Sequence, residues 1–300
     1  MSFITPSLVG AKPYRLIGLV GVLAAVGSCQ SDHPSLNTAP HGARPAGSVA
    51  SVTPWLVEDY STYSSTADYM AAGIYNRGED GDFASNGVID NTVGLNVGGF
   101  ALTQSLRYDF PDRTSDTAKY CHDYSVGRNI NLPTDVPEIW VEVWVRFPST
   151  FTTVAPGCDG ISNPDYKMLL VRFLTSSRAN LTPGTYGNSW TWGIGSDQQG
   201  DGGNPPHTIP GLPWDDTWHQ YRIHLMHDRS GSVGHYTAGD WWMDGVLMKS
   251  FPDVNDPTAI YGNLWGLAIG RNLNQGPDHP MSYWWGRIAV YNTDPGWGTP

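Results

Sequence analysis

The segment Gln220-Tyr221-Arg222-Ile223-His224 sets three polar side chains on one face of an extended chain, because side chains along a strand alternate between its two faces. Elimination next to a carboxylate needs three such groups: a partner for the carboxylate, a base for the adjacent proton and an acid for the leaving oxygen. Arg222 or Gln220 suits the first task and His224 the second, and Tyr283 or Tyr291, on a later segment, could supply a phenol for the third. A second segment, Ile139 to Phe147, puts Ile139, Val141, Val143, Val145 and Phe147 on one face and Trp140, Glu142, Trp144 and Arg146 on the other. A face turned only to water would carry Lys, Glu, Ser and Thr. Indoles mixed with bidentate hydrogen bonders instead suit a groove for sugar rings, whose apolar faces stack on aromatics while their hydroxyls and carboxylates take Arg, Gln and Glu. Lys167 joins Trp140, Glu142, Trp144 and Arg146 as a candidate sugar contact. Two structural alternatives stay open: Trp140 and Trp144 packed under a covering loop, and Arg222 with His224 as a hydrogen-bonded structural pair.

Hydrolysis is the weaker chemistry. Glu138 and Glu142 share a face, but their Cα atoms lie ~13 Å apart at ~3.3 Å per residue, whereas paired glycosidase carboxyls sit ~5 Å or ~6.5 to 9.5 Å apart. Glu138 also follows Pro137, where it is expected to be solvated. No Gly-x-Ser-x-Gly elbow supports a serine nucleophile. His207, His219, His224, His227 and His235 lack zinc-ligand spacing with cysteines, so no metal ligand is assigned and no cofactor is required. Glu79-Asp80-Gly81-Asp82 and Asp197 with Asp201 are acidic, glycine-rich loops able to hold a structural calcium, although such loops are more often solvated turns.

The elements that must position these groups are strands. Period-two alternation bounded by Gly, Pro, Asn or Asp marks Ser105 to Phe110, Ile139 to Phe147, Tyr166 to Leu174, Ser189 to Ile194, Trp218 to His227, Trp241 to Met248, Leu264 to Gly270 and Tyr283 to Tyr291. Helical periodicity is confined to a short stretch around Ser64 to Ile74. The pattern predicts an all-β, antiparallel β-sandwich or jelly roll. Asp244-Gly245 sits between two β-rich runs, as a tight hairpin turn requires.

The stretch Thr217-Trp218-His219-Gln220-Tyr221-Arg222-Ile223-His224-Leu225, followed by Trp241-Trp242-Met243-Asp244-Gly245-Val246-Leu247, resembles the concanavalin A-like lectin/glucanase superfamily, and within it the jelly-roll polysaccharide lyase-like members. The closing segments, Gly262 to Leu267 and Trp284 to Tyr291, fit the last strands of such domains. The resemblance implies a concanavalin A-like jelly roll and a polysaccharide partner. Jelly-roll alginate lyases place Gln-x-His on one strand and a tyrosine on a neighbour, which Gln220, His224 and Tyr283 or Tyr291 match in part. The Arg-rich and Tyr-Lys signatures of those lyases are missing. A uronate lyase, a lectin-like binding module and a β-glucanase-type hydrolase therefore stand in that order.

The N-terminal 28 residues carry Lys12, Arg15 and the apolar run Leu16 to Val26, too short to span a bilayer, for which ~20 apolar residues are needed. The run closes on Val26-Gly27-Ser28-Cys29, which resembles the lipobox of bacterial lipoproteins, with Val26 where Leu is commonest. That implies a signal over residues 1–28, acylation of Cys29 and a membrane anchor, in the outer membrane of a two-membrane cell given Gln30; an ordinary cleaved signal and an extracellular product is the alternative. Residues 29–53 are poor in large apolar side chains and read as a tether to a domain at 54–295. Without the signal, fifteen Lys and Arg face 28 Asp and Glu, a net charge of about −13, which argues against nucleic acid as a partner. Cys121 and Cys158 flank the Ile139 segment and are expected to form one disulfide in an oxidising compartment, two buried free thiols being the alternative.

Overall fold

The computed structural model describes residues 52–72, 74–76, 87–116, 120–158, 164–173, 178–185, 189–195, 207–226, 236–255, 263–270 and 272–297. In chain order its strands are Leu56–Glu58 (β1), Tyr75–Asn76 (β2), Val88–Asp90 (β3), Ser105–Phe110 (β4), Tyr124–Ser125 (β5), Arg128–Val136 (β6), Glu138–Arg146 (β7), Leu169–Phe173 (β8), Arg178–Thr185 (β9), Ser189–Gly195 (β10), His207–Pro210 (β11), Trp218–Met226 (β12), Tyr236–Met243 (β13), Val246–Asn255 (β14), Leu264–Ile269 (β15), Asn272–Leu273 (β16) and Met281–Tyr291 (β17). The short helix Thr66–Ala71 (α1) starts where Ser65 caps it by accepting from the Asp68 amide. The molecule is all-β, as the alternation predicts.

Two antiparallel sheets face each other. The first runs β14-β13-β12-β7-β17-β4-β3, with β1 taking over from β4 beside the second half of β17. The second runs β11-β10-β9-β8-β15-β6-β2, and β16 pairs with β5 apart from both. The inner face of β7 contributes Ile139, Val141, Val143 and Val145, all fully buried, opposite Leu264, Leu267 and Ile269 of β15 in one apolar cluster. Each such side chain stabilises the sandwich by about 1.5–3 kcal/mol relative to an exposed one. On β12 the buried set is Tyr221, Ile223 and Leu225, which leaves Gln220, Arg222 and His224 on the outer face.

Asp244 (φ 49°) and Gly245 (φ 81°) both take left-handed backbone and form the two-residue turn between β13 and β14. The Asp244 carboxylate accepts from the Gln220 amide (2.8 Å) and lies 2.6 Å from His219 Nδ1, fastening the turn to β12. Cys121 and Cys158 are joined, with Cα atoms 5.1 Å apart. The single strand expected over Trp241 to Met248 is instead the end of β13, the Asp244-Gly245 turn and the start of β14. Of the strands outside the marked segments, β1, β2, β3, β5, β11 and β16 are two to four residues long, and the two longer ones are β6 and β9. Each contains a proline, Pro133 or Pro183, which removes a ladder donor and reads as a break. In β6 that proline lies where pairing with β15 slips between Leu264 and Gly266. The acidic loops at 79–82 and at Asp197 and Asp201 lie outside the described residues, as do residues 1–51 with Cys29. Among the described residues no helix is long and apolar enough to cross a membrane.

Candidate functional site

The outer face of the first sheet is organised in rows set by strand register. One row reads Asp240, His224, Trp140, Tyr291 across β13, β12, β7 and β17. The next reads Trp242, Arg222, Glu142, Ala289, and the third brings Gln220, Trp144 and Arg287 side by side. Thus Gln220, Arg222, His224, Trp140, Glu142, Trp144 and Tyr291 share one face. Arg146 sits on that face at the far end, where its Nε donates to the Asp216 carbonyl (2.9 Å) and its guanidinium lies 5.3 Å from the Trp284 ring centre.

Two sequence-derived candidates lie elsewhere. Tyr283 is fully buried between the sheets, stacked on Phe147 and hydrogen-bonded to Tyr166. With no exposed surface it cannot reach a bound polymer, and the same burial pushes its phenol above the ordinary tyrosine range. Tyr283 and Tyr291 are eight residues apart and would share a face of a regular strand, but the ladder between β17 and β7 slips between Trp285 and Arg287. That one extra residue turns Tyr283 inward and Tyr291 outward. Lys167 lies two residues before β8 of the second sheet, near Asp165, and is not part of the outer face.

The centre of the face is an ionic cluster around Glu142, which is only 5 % exposed. Gln220 Nε2 (2.9 Å) and Arg222 Nε and Nη2 (3.3 Å each) donate to Glu142 Oε2, and Arg287 Nη1 donates to Oε1 (2.7 Å). A second cluster surrounds His224. Its Nε2 lies 3.0 Å from Glu138 Oε1 and its Nδ1 3.1 Å from Asp240 Oδ2, while Ser250 Oγ donates to the other Asp240 oxygen. Trp140 stacks flat on the His224 ring, 4.6 Å between centres and 7° between planes. Glu138 is therefore not solvated as its place after Pro137 suggests; its carboxylate is drawn in by the imidazole. Arg222 and His224 are not partners of each other either, since each has found its own acid. The Tyr291 phenol is pushed up by burial and then by the charge of Glu142, against the pull of Arg287, so it holds its proton more tightly than an ordinary tyrosine.

Coverage of this face is uneven. The segment 91–104 lies over Trp144, which is 8 % exposed: Phe100 meets its indole edge-on at 6.0 Å, and Gly98 sits so close that a Cβ would come within 2.6 Å of the ring. Nearby, Trp218 Nε1 donates to the Gly94 carbonyl and the Arg287 guanidinium lies 4.8 Å from the Phe100 ring centre. Trp144 thus packs under a covering loop, whereas Trp140 is half-buried on the open side of it. From the other direction Trp297 reaches over Arg222, with 4.9 Å between its ring centre and the guanidinium carbon, and meets Trp242 and Tyr291 edge-on. Sequence reasoning missed both Arg287 and Trp297. Arg287 was within reach, four residues from Tyr291 on the same face. Trp297 carries no local signal, because its contacts are long-range. Among the described residues no group of three or more His, Cys, Asp or Glu side chains is arranged to hold a metal ion.

No family model and no curated protein matches the sequence. Among solved structures, that of alginate lyase Aly36B superposes with a TM-score of 0.50 at 10 % identity, over 80 % of this chain and 98 % of that one. The chain has the jelly-roll fold of that lyase. Two further similar structures are a marine PL-14 alginate lyase from Aplysia kurodai (TM-score 0.47, 9 % identity, 81 % and 100 % covered) and an endo-β-1,4-glucuronan lyase from the fungus Trichoderma reesei (0.43, 12 %, 81 % and 99 %). At these identities the likeness is one of fold.

Proposed function

We propose that this protein binds a uronic-acid-containing polysaccharide across the outer face of the first sheet and cleaves it by β-elimination. The observation that carries the reading is the convergence of Gln220, Arg222, His224 and Tyr291 on one face from two strands that flank β7. Arg222 and Gln220 meet the uronate carboxylate. His224, released from Glu138 or Asp240 as the sugar enters, takes the proton next to that carboxylate. The electron pair left behind forms the new C–C double bond, the glycosidic C–O bond breaks, and the Tyr291 phenol protonates the departing oxygen. Trp140 offers the stacking surface. The lyase names of the similar folds agree with this chemistry, and acylation at Cys29 would hold the domain at the cell envelope.

A capture module that binds without cleaving is the second reading. What favours it is that both His224 nitrogens face carboxylates and that Arg222 and Arg287 are already engaged by Glu142. The deciding experiment incubates the purified protein with alginate, polyglucuronate and neutral glucans, following absorbance of unsaturated uronates and reducing ends together. Both signals rising on a uronate polymer support the lyase. Reducing ends without absorbance refute elimination, and retention of polymer without either product selects capture.

A further inference from the structure

The outer face has a second concavity at the end remote from His224. There an open cleft of about 650 Å³ is bordered by Trp284 and Tyr124, by Pro111 and Pro148, and by Asp109 and Ser282. The volume falls within the range of small-ligand sites. Trp284 and Tyr291 are seven residues apart, about 20 Å along a strand, and the Trp144 and Arg287 row beneath residues 91–104 lies between them. The cleft is therefore separate from the clusters around Arg222 and His224, at the other end of the same face.

Its walls are built before any ligand arrives. Trp284 is fixed by its Nε1 donating to Asp90 Oδ2 (2.9 Å) and by the Arg146 guanidinium over its ring. Tyr124 has the Arg113 guanidinium 5.3 Å from its ring centre. Neither arginine borders the cleft, so each holds a ring in place without bringing a charge into it. The prolines have a fixed φ and no N–H to satisfy, which makes them rigid apolar walls. The polar group on this apolar frame is a carboxylate aimed by its neighbours: Arg107 donates to both Asp109 oxygens (2.8 and 3.1 Å) and Ser282 Oγ to one of them (2.6 Å). With its side chain 46 % exposed, Asp109 keeps lone pairs for a ligand.

We propose that this cleft binds a neutral pyranose unit, the ring lying against Trp284 or Tyr124 and its hydroxyls donating to Asp109. An oriented acceptor between aromatic and proline walls suits a ring with an apolar face and hydroxyl edges. A uronate would set its carboxylate against Asp109, and Arg107, already engaged with both Asp109 oxygens, is not among the residues lining the cleft. The proposal does not depend on the elimination chemistry at His224.

The test is saturation-transfer NMR and calorimetry of the whole protein with cellotetraose, mannotetraose and xylotetraose, and alginate tetrasaccharide as the charged contrast. At least one neutral tetrasaccharide should bind. Thr150→Trp, which fills the mouth from an exposed rim position, and Asp109→Asn, which removes the charged acceptor, should each weaken it about tenfold or more. His224→Ala should leave this binding unchanged, which separates its failure from failure of the lyase reading. The proposal is overturned if none of the three neutral probes binds at millimolar concentration, or if binding survives both cleft variants. It is overturned equally if the alginate tetrasaccharide is the probe those variants displace.

Discussion

Two ionic clusters stand one row apart on the outer face, with inverse compositions. Around Glu142 a single acid gathers two arginines and an amide from the strands on either side of β7. Around His224 a single imidazole is gripped by two acids, one from β7 and one from β13. The first cluster ties β12, β7 and β17 together around one anion and leaves cations in excess of its single charge. The second leaves acids in excess of the imidazole's one possible charge. A shared sheet face therefore does not imply shared duty, and the difference can be measured.

The largest effect belongs to the histidine. If His224 is the base, His224→Ala lowers turnover by about 10²–10⁴-fold while polymer retention on an affinity gel changes little. Undiminished turnover would move the chemistry elsewhere, and loss of folding would class the His224 cluster as structural. Next comes Glu142→Gln, which strands two partly buried guanidinium groups. Breaking such a pair costs about 3 kcal/mol, at the low end of the buried range because Arg222 is a quarter exposed. Urea unfolding at neutral pH checks this, and a loss below about 1 kcal/mol would show that the arginines find other partners.

A third ionic group, at the far end of β12, sharpens the contrast through pH. Burial lowers the His219 affinity for a proton, but hydrogen bonds and charge from Asp244, then Asp215, outweigh it and raise its pKa above 6.5. Because the folded value exceeds the unfolded one, its contribution is complete below pH 6.5 and is lost as pH rises through the folded pKa. The melting temperature should decline across that interval in the native protein, and His219→Gln should flatten the slope. The smallest effect on stability is expected for Trp297→Ala. It uncovers Arg222, so phenylglyoxal labelling of Arg222, mapped by peptide mass spectrometry, should accelerate several-fold while the melting temperature hardly moves. An unchanged labelling rate would mean that Trp297 does not shield the guanidinium.

Much of this molecule could be read from alternation alone. Period-two alternation places β4, β7, β12, β15 and β17 and assigns the faces of β7 and β12, because one face of each must enter an apolar core and a slip of one residue would expose it. The Asp244-Gly245 turn and the Cys121–Cys158 bridge were legible for equally local reasons: left-handed backbone that Asp-Gly tolerates, and two thiols flanking one strand. Tertiary structure decided what alternation could not. A single-residue slip in β17 sent Tyr283 inward and Tyr291 outward. Residues 91–104 closed over Trp144 and left Trp140 open, and Trp297 settled on Arg222. Each outcome depends on which distant segment arrives to satisfy a ring or a charge. The sequence specifies which side chains leave the core, whereas only the assembled sheet specifies which of them remain available to a ligand, because availability is set by long-range contacts that no local period encodes.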